Sequence, residues 1–375
     1  MTALSLILKL GLLSMSAAAI AESPRATAET RGSGYGPSVA HAPKEILQVG
    51  TARAEPGQVS RGVISVLDGV DRGYDIPVIL INGSRPGPTI ALIAGLHGAE
   101  FGGIVALQRL ANELEPSSLA GSAVIIPLVN VEAFKHLTPR NNPVDGKNMN
   151  RHFPGEASGT QTQRAAHLIT EEVLKRADYV IDYHGGDLNE DQQPYAYWIL
   201  SPSKRVTEAE DRMLRAFGTP YIIKFPLKDM SPATANLLPT QAVVLGKPTV
   251  TVDAGHSGTY SPGHLRLLMD GTKRVLAQLG MIAPVSQAQT EPQYLESTVY
   301  VNSAETGTFF PLATRGERVR KGQLLGYVTD FYGRRSFEAI APEDGVILYL
   351  NSTPSAVKGE QLFFIGIPQN KASAS

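Results

Sequence analysis

The sequence predicts an α/β fold: a mostly parallel mixed sheet flanked by helices, followed by a small all-β domain. Three observations predict it. Continuous apolar runs such as PTIALIAG, AVIIPLVN and YVIDYHG recur, each suited to a strand buried on both faces. Segments with helical spacing alternate with them, which implies parallel strands joined by crossover helices. After Pro284 the helical period disappears, and short strands punctuated by glycine take over.

Taken in chain order, residues 1–21 hold an apolar run followed by small residues, and Ala19-Ile20-Ala21 fits a small-x-small cleavage pattern. An export signal is expected there, with a periplasmic or secreted mature chain starting at Glu22; an uncleaved anchor is the alternative reading. The run is too short and interrupted to span a membrane securely, so no stable insertion is expected after cleavage. Residues 22–57, rich in Ala, Gly, Ser, Pro and Arg without periodicity, read as a flexible leader. A large domain is expected over 58–283. GVISVLDGV and DIPVILING read as strands, and PTIALIAG follows. EFGGIVALQRLANEL carries helical spacing at Ile104, Leu107, Leu110 and Leu114. AVIIPLVN is a strand, and Thr162 to Arg176 a helix with Ala165, Leu168, Ile169 and Val173 on one face. YVIDYHG, YAYWILS, YIIKF and KPTVTVDAG are strands, and GHLRLLMDGTKRVLAQLG closes the domain as a helix. Residues 284–293 read as a linker, and 294–375 as the C-terminal β domain.

Composition narrows the function. Of 375 residues, 42% are hydrophobic and 18% charged, as in an ordinary folded protein. A net charge of −1 supplies no field for nucleic acid or an anionic membrane. The chain has no cysteine, which excludes disulfides, thiolate zinc sites and a cysteine nucleophile together. Any metal must be held by His, Asp or Glu. No phosphate-binding glycine loop follows a strand, which argues against a nucleotide enzyme.

The chemistry-bearing residues share a placement. His97 follows one apolar strand, His184 ends another, Asp253 ends a third, and Asn150 and Arg151 lie in the loop after a fourth. Ligands of open α/β sheets bind outside the carboxyl ends of the strands, so residues far apart in sequence can meet there. His97 and Glu100 can reach one ion from a tight turn, and His184 adds a third ligand. Two imidazoles and a carboxylate, with one position open to water, suit catalytic zinc, one Zn2+ per chain. A lone strand-end histidine is ordinarily a hydrogen-bonded core residue; the coincidence of three ligand types at strand ends is what points to metal. Gly98, Gly102, Gly103, Gly185 and Gly186 are expected to keep bulk from the centre and to permit unusual backbone angles. The long polar loop TPRNNPVDGKNMNRHFPG offers Arg140, Asn150 and Arg151 for a carboxylate or a developing oxyanion, or is simply a solvated loop. His136, His152, His167 and His264 lack ligand-like spacing, and Tyr195, Tyr197 and Trp198 read as core residues first and pocket lining second.

GLHGAEFGG, DGKNMNRHFPG, DYHGG and TVDAGHSG, in this order, resemble the succinylglutamate desuccinylase/aspartoacylase family, relatives of the zinc carboxypeptidases, over about 58–280. The resemblance implies zinc on His97, Glu100 and His184, a substrate carboxylate gripped by Asn150 and Arg151, and Arg140 polarising the scissile carbonyl. It also implies that Asp253 stands where the family has the glutamate that activates water. Aspartate is one methylene shorter, and a displacement of about 1 Å in a catalytic group costs on the order of a hundredfold in rate. His256, in the same loop, reads as a surface histidine, with assistance in proton transfer as the alternative. The expected function is therefore a zinc-dependent hydrolase cleaving an amide, or alternatively an ester, of a carboxylate-bearing N-acyl amino acid or peptide. The alternative is a catalytically impaired zinc-containing binding protein for carboxylate ligands. The tail, with GTFFPLATRGERVRKGQLLGYV and EAIAPEDGVIL, resembles a lipoyl/biotinyl-type barrel-sandwich domain. Arg334 occupies the position of the carrier lysine and cannot form its amide, so the domain reads as a scaffold. Arg334 and Arg335 are expected to form a solvated basic tip, with reach to substrate as the alternative.

Overall fold

The computed structural model describes residues 45–227, 230–231, 234–288 and 291–369. The expected export signal and residues 22–44 of the leader lie outside these residues; residues 45–57, expected as part of the flexible leader, instead hold two short antiparallel strands, Leu47–Val49 and Ala52–Ala54, with Val49, Ala52 and Ala54 buried. In chain order the first elements are β1 Leu47–Val49, β2 Ala52–Ala54, β3 Gln58–Val66, β4 Tyr74–Asn82, β5 Arg85–Ala94, α1 Phe101–Glu113, β6 Ala120–Ile126 and α2 Val131–His136. There follow α3 Gln161–Leu168, β7 Tyr179–His184, β8 Glu190–Gln192, β9 Tyr195–Leu200, α4 Lys204–Phe217, β10 Tyr221–Pro226, α5 Leu238–Val244, β11 Thr249–Asp253 and α6 Pro262–Gln278. The C-terminal strands are β12 Gln293–Asn302, β13 Gly307–Pro311, β14 Arg318–Val319, β15 Leu324–Thr329, β16 Arg335–Ile340, β17 Gly345–Asn351, β18 Ser355–Ala356 and β19 Gln361–Pro368.

One long sheet runs β14-β17-β19-β12-β10-β9-β11-β7-β5-β6-β4-β3, with β8 paired to β17. Its centre, β6-β5-β7-β11, is parallel. β9 lies antiparallel to β11, and β3 and β4 form an antiparallel flank. The pleat divides each central strand between two cores. On β5, Ile90, Leu92 and Ala94 join Leu107 and Leu110 of α1 and Leu268 and Val275 of α6 on one side. Ala91 and Ile93 face Ala165 and Ile169 on the other. Burial on both faces is why these strands read as unbroken apolar runs.

The helix expected over 162–176 changes character midway. Gln161–Leu168 is α-helical, but Ile169–Leu174 forms a wider turn in which the Lys175 N–H donates to the Thr170 carbonyl five residues back. The Thr170 hydroxyl donates to the Ala166 carbonyl at 2.9 Å, a local competitor of the regular ladder.

The C-terminal strands continue the main sheet. β12 pairs in parallel with β10, Tyr221 opposite Gln293, and the short β8 pairs with β17. A second sheet, β16-β15-β13-β18, closes over them around Phe309, Leu325, Val328 and Phe363. At the β15–β16 tip, the Arg334 guanidinium donates to Asp330 and that of Arg335 lies 4.0 Å from the Tyr327 ring centroid. Among the described residues no helix is long and apolar enough to cross a membrane.

One buried acid gives a stability prediction. Glu210 of α4 is fully buried; one carboxylate oxygen accepts from the Thr249 N–H at 3.0 Å and the other has no hydrogen-bond partner among the described residues. Burial pushes its carboxyl up to about 9, opposed by the Thr249 bond. Between the ordinary value of 4.5 and about 9 the folded chain holds a proton that the unfolded chain has released, so stability falls as pH rises through this window. Glu210→Gln keeps an acceptor for Thr249 and removes the titration. The variant is expected to gain on the order of 2–4 kcal/mol over wild type at pH 8 and little at pH 5, read from urea midpoints. Equal pH slopes in the two proteins would refute this account.

Candidate active site

β5 and β7 end side by side, so the turn after Ala94 and the last residue of β7 meet. His97, Glu100 and His184, all under 9% exposed, bring ligand atoms within 4.8 Å of one another. His97 Nδ1 lies 2.6 Å from Glu100 Oε1, and His184 Nδ1 lies 2.9 Å from Glu100 Oε2. The far nitrogens are taken: His97 Nε2–H donates to Asn148 Oδ1 and His184 Nε2–H to Asp182 Oδ2, both at 3.1 Å. An oxygen on the outer nitrogen fixes the tautomer and turns the inner lone pair toward a common point, the arrangement found around metal-ligating histidines. Three converging N and O donors with no thiolate fit a divalent metal such as zinc. Burial alone would raise the Glu100 carboxyl, but the two imidazoles outweigh it and hold it down at about 2, ready to ligate as the anion.

Next to this centre opens a cavity of about 330 Å³ lined by all three candidate ligands together with Arg140, Asn150, Arg151 and Asp253. Every site residue expected from sequence therefore faces one space. Asp253 ends β11 directly opposite His184. Burial pushes its carboxyl up to about 7, opposed by His184 and reinforced by Glu100, Glu190 and Asp182. Asn150 accepts from the Leu238 N–H at 2.8 Å, which anchors its loop to α5, and Arg151 donates to the Asn150 carbonyl at 2.5 Å. Arg140 is ion-paired with Glu190 of β8 at the cavity wall. His256 stays outside, half-exposed and bonded to Asp191, and Arg334 and Arg335 do not line the cavity.

The glycines act differently from expectation. None of Gly98, Gly102, Gly103, Gly185 and Gly186 takes a positive φ. They permit close approach instead: a Cβ on Gly98 would stand 2.2 Å from the Phe134 nitrogen, and one on Gly186 2.1 Å from the Glu190 carbonyl oxygen. Backbone packed against backbone, rather than an emptied centre, is what these positions require.

A family model described as the succinylglutamate desuccinylase/aspartoacylase catalytic domain matches residues 86–279. The chain is also 30% identical over 332 residues to an N-alpha-acetyl-L-2,4-diaminobutyric acid deacetylase of Halomonas elongata, covering 83% of this chain and 95% of that one. The chain belongs to the succinylglutamate desuccinylase/aspartoacylase family. Solved relatives agree with the architecture. A succinylglutamate desuccinylase from Silicibacter sp. TM1040 superposes with a TM-score of 0.76 at 26% identity, covering 88% of this chain and 100% of its own. The product-bound ectoine utilization protein EutE (DoeB) of Ruegeria pomeroyi gives 0.76 at 25% identity, with 87% and 100% covered. Both spans extend beyond the catalytic domain into the C-terminal strands. This desuccinylase/aspartoacylase-family chain is accordingly a hydrolase of the deacylase class.

Sequence reasoning missed several residues of the site. Asp182 precedes His184 by two on a strand and so shares its face, a signal present in YVIDYH. Asn148, Glu190 and Gln192 sit in loops or a three-residue strand without pattern. Tyr300, Tyr349, Gln361 and Phe364 line the cavity from the C-terminal strands.

Proposed function

We propose that this family member is a zinc-dependent hydrolase that removes the acyl group from a small N-acyl amino acid bearing a free carboxylate. The observation that carries the reading is the pair of imidazoles whose outer nitrogens are held by Asp182 and Asn148 while their inner nitrogens face Glu100. His97, Glu100 and His184 hold the ion, one per chain. When bound, zinc acidifies water and polarises a carbonyl. Asp253 takes the proton of the attacking water and passes it to the leaving amine; a carboxyl raised toward neutrality suits both steps. Arg140, oriented by Glu190, presents its remaining N–H donors to the oxyanion, and Asn150 and Arg151 hold the substrate carboxylate. A cavity of about 330 Å³ favours a small molecule over a long peptide. The apolar N-terminal run followed by Ala19-Ile20-Ala21 supports reading the active protein as exported, to the periplasm or outside the cell. The shorter Asp253 side chain favours one rival, a zinc-containing binding protein that releases no product.

Metal analysis and amine release from a panel of N-acetyl amino acids test the proposal. One zinc per chain, turnover of panel members, and loss of turnover on chelation with recovery on zinc are expected. Tight binding without product would favour the rival, and a folded chain that takes up no zinc would defeat both.

A further inference from the structure

The cavity has two ends of different chemistry. Around the candidate metal ligands its lining is charged, with Arg140, Arg151, Glu190 and Asp253 all reaching it. From there the floor continues across the sheet. Thr251 on β11 lies opposite Tyr197 on β9, and Ile199 on β9 lies opposite Phe225 on β10. Directly opposed residues share a face of the sheet, so these side chains form one surface. Tyr197 and Phe225 meet edge to face, their ring centres 6.2 Å apart at 90°. Ile199 is buried and packs with Val206 and Val243. Leu237 and Pro239, at the start of α5, line the same cavity. Of Tyr197, Ile199, Phe225, Leu237 and Pro239, only Tyr197 carries a polar side-chain atom. Lys224, between Ile223 and Phe225, alternates to the other face of the sheet and pairs with Glu296. Asn150 joins the two ends of the cavity. Its Nδ2 lies 3.5 Å from His184 Nε2, and its Oδ1 accepts from the N–H of Leu238, the residue between Leu237 and Pro239.

We propose that Tyr197, Ile199, Phe225, Leu237 and Pro239 form an apolar arm for the amino-acid side chain, so that the preferred substrates are N-acyl derivatives of amino acids with large hydrocarbon side chains. This rests on the deacylase reading and names the substrate class within it. The α-carbon of an N-acyl amino acid carries three groups with different needs. The amide goes to the centre formed by His97, Glu100 and His184, and the carboxylate to Asn150 and Arg151. The side chain is then the group that extends past Asn150, toward Leu237 and Pro239. A hydrocarbon gains roughly fourfold in affinity for each methylene it buries there. An ionic end of either sign is stripped of water and meets no opposite charge among the residues of the arm. Arg140 and Arg151 do not supply one in this reading, because the amide carbonyl and the carboxylate engage them at the other end of the cavity.

Calorimetry on the zinc-loaded full chain compares three product amino acids: L-norleucine, L-alanine and L-ornithine, the last matching norleucine in length but ending in an ammonium group. Hydrolysis is measured for the N-acetyl derivative of each, and for N-hexanoyl-L-alanine, which carries its hydrocarbon on the acyl side instead. Norleucine is expected to bind at least about tenfold more tightly than alanine or ornithine, and N-acetyl-L-norleucine to have the highest kcat/KM of the set. Phe225→Ala and Leu237→Ala should each cut the norleucine-to-alanine ratio by about threefold or more. Phe225→Asp, at a position 36% exposed, should turn the preference toward ornithine. Alanine or ornithine binding as tightly as norleucine in wild type would overturn the arm, as would ratios unchanged in all three variants. N-hexanoyl-L-alanine outrunning N-acetyl-L-norleucine would overturn it too, by giving the apolar end to the acyl group. Binding preference without hydrolysis of any derivative would leave the arm standing and remove the deacylase reading. Hydrolysis of every derivative without preference would do the reverse.

Discussion

Asp253→Asn is expected to lower kcat by about 10²–10⁴-fold while leaving zinc content unchanged. The substitution conserves shape and keeps one carbonyl oxygen, but an amide cannot take a proton from water at neutral pH. Asp253 is a cavity-lining carboxylate beside the ligands: its strand pairs with β7, and its Cα lies opposite that of His184. Its proton affinity is set by the competition already described, with burial driving it up to about 7. Activity needs the unprotonated base, so the rate rises with pH through this group's pKa. A bound cation draws that pKa lower, which puts the acid limb of kcat/KM at or below about 7. The limb should disappear in Asp253→Asn. Asp253→Glu keeps the base but displaces it by one methylene, and should fall between wild type and Asn because misplacement by about 1 Å is itself costly. Full activity in Asp253→Asn would mean that another group moves the proton.

The contrast between what the chain announces and what it conceals has a physical origin. His97, Glu100 and His184 are legible because polar residues at the ends of apolar strands have few structural uses, and the topology of open α/β sheets sends those ends to one edge. The face of the sheet on which each residue lies is less legible. Strands buried on both sides lose the alternation that marks an inward face. YAYWILS looks uniformly apolar, although Tyr195 and Tyr197 turn to the cavity and Ala196 and Trp198 to the opposite core. The C-terminal contribution was hidden for another reason. Tyr300 and Phe364 reach the site because β12 pairs with β10 across the expected linker and β19 pairs with β12. Strand pairing between distant segments leaves no local signature, and a boundary drawn on composition hid a sheet that crosses it. The Arg140–Glu190 pair likewise joins a loop to a strand too short to show periodicity.

His184→Ala is expected to abolish zinc retention and with it all turnover, and Asp182→Asn separates ligation from orientation. Burial favours neutral His184, but Asp182 and Glu100 outweigh it and hold the imidazole's pKa well above the usual 6.5 in the metal-free chain. A group with a raised pKa keeps its proton above 6.5, so a metal must displace that proton even near neutrality. Zinc affinity should therefore climb steadily between pH 6 and pH 8. Asp182 is fully buried and holds His184 Nε2–H at 3.1 Å. In Asp182→Asn the anion that stabilises the imidazolium is gone, so proton competition weakens and the pH dependence flattens. The same change loosens the ring and makes it a poorer donor, lowering affinity at pH 8 by about 10–100-fold. A weaker but flatter affinity profile, measured by chelator competition at several pH values, is the signature of a residue acting through His184. If Asp182→Asn weakened zinc binding equally at every pH, its role would be that of a packing residue, and the raised imidazole would need another cause. Glu100 supplies the control, since Glu100→Gln removes both a ligand and an anion beside His184 and should lose zinc at every pH tested.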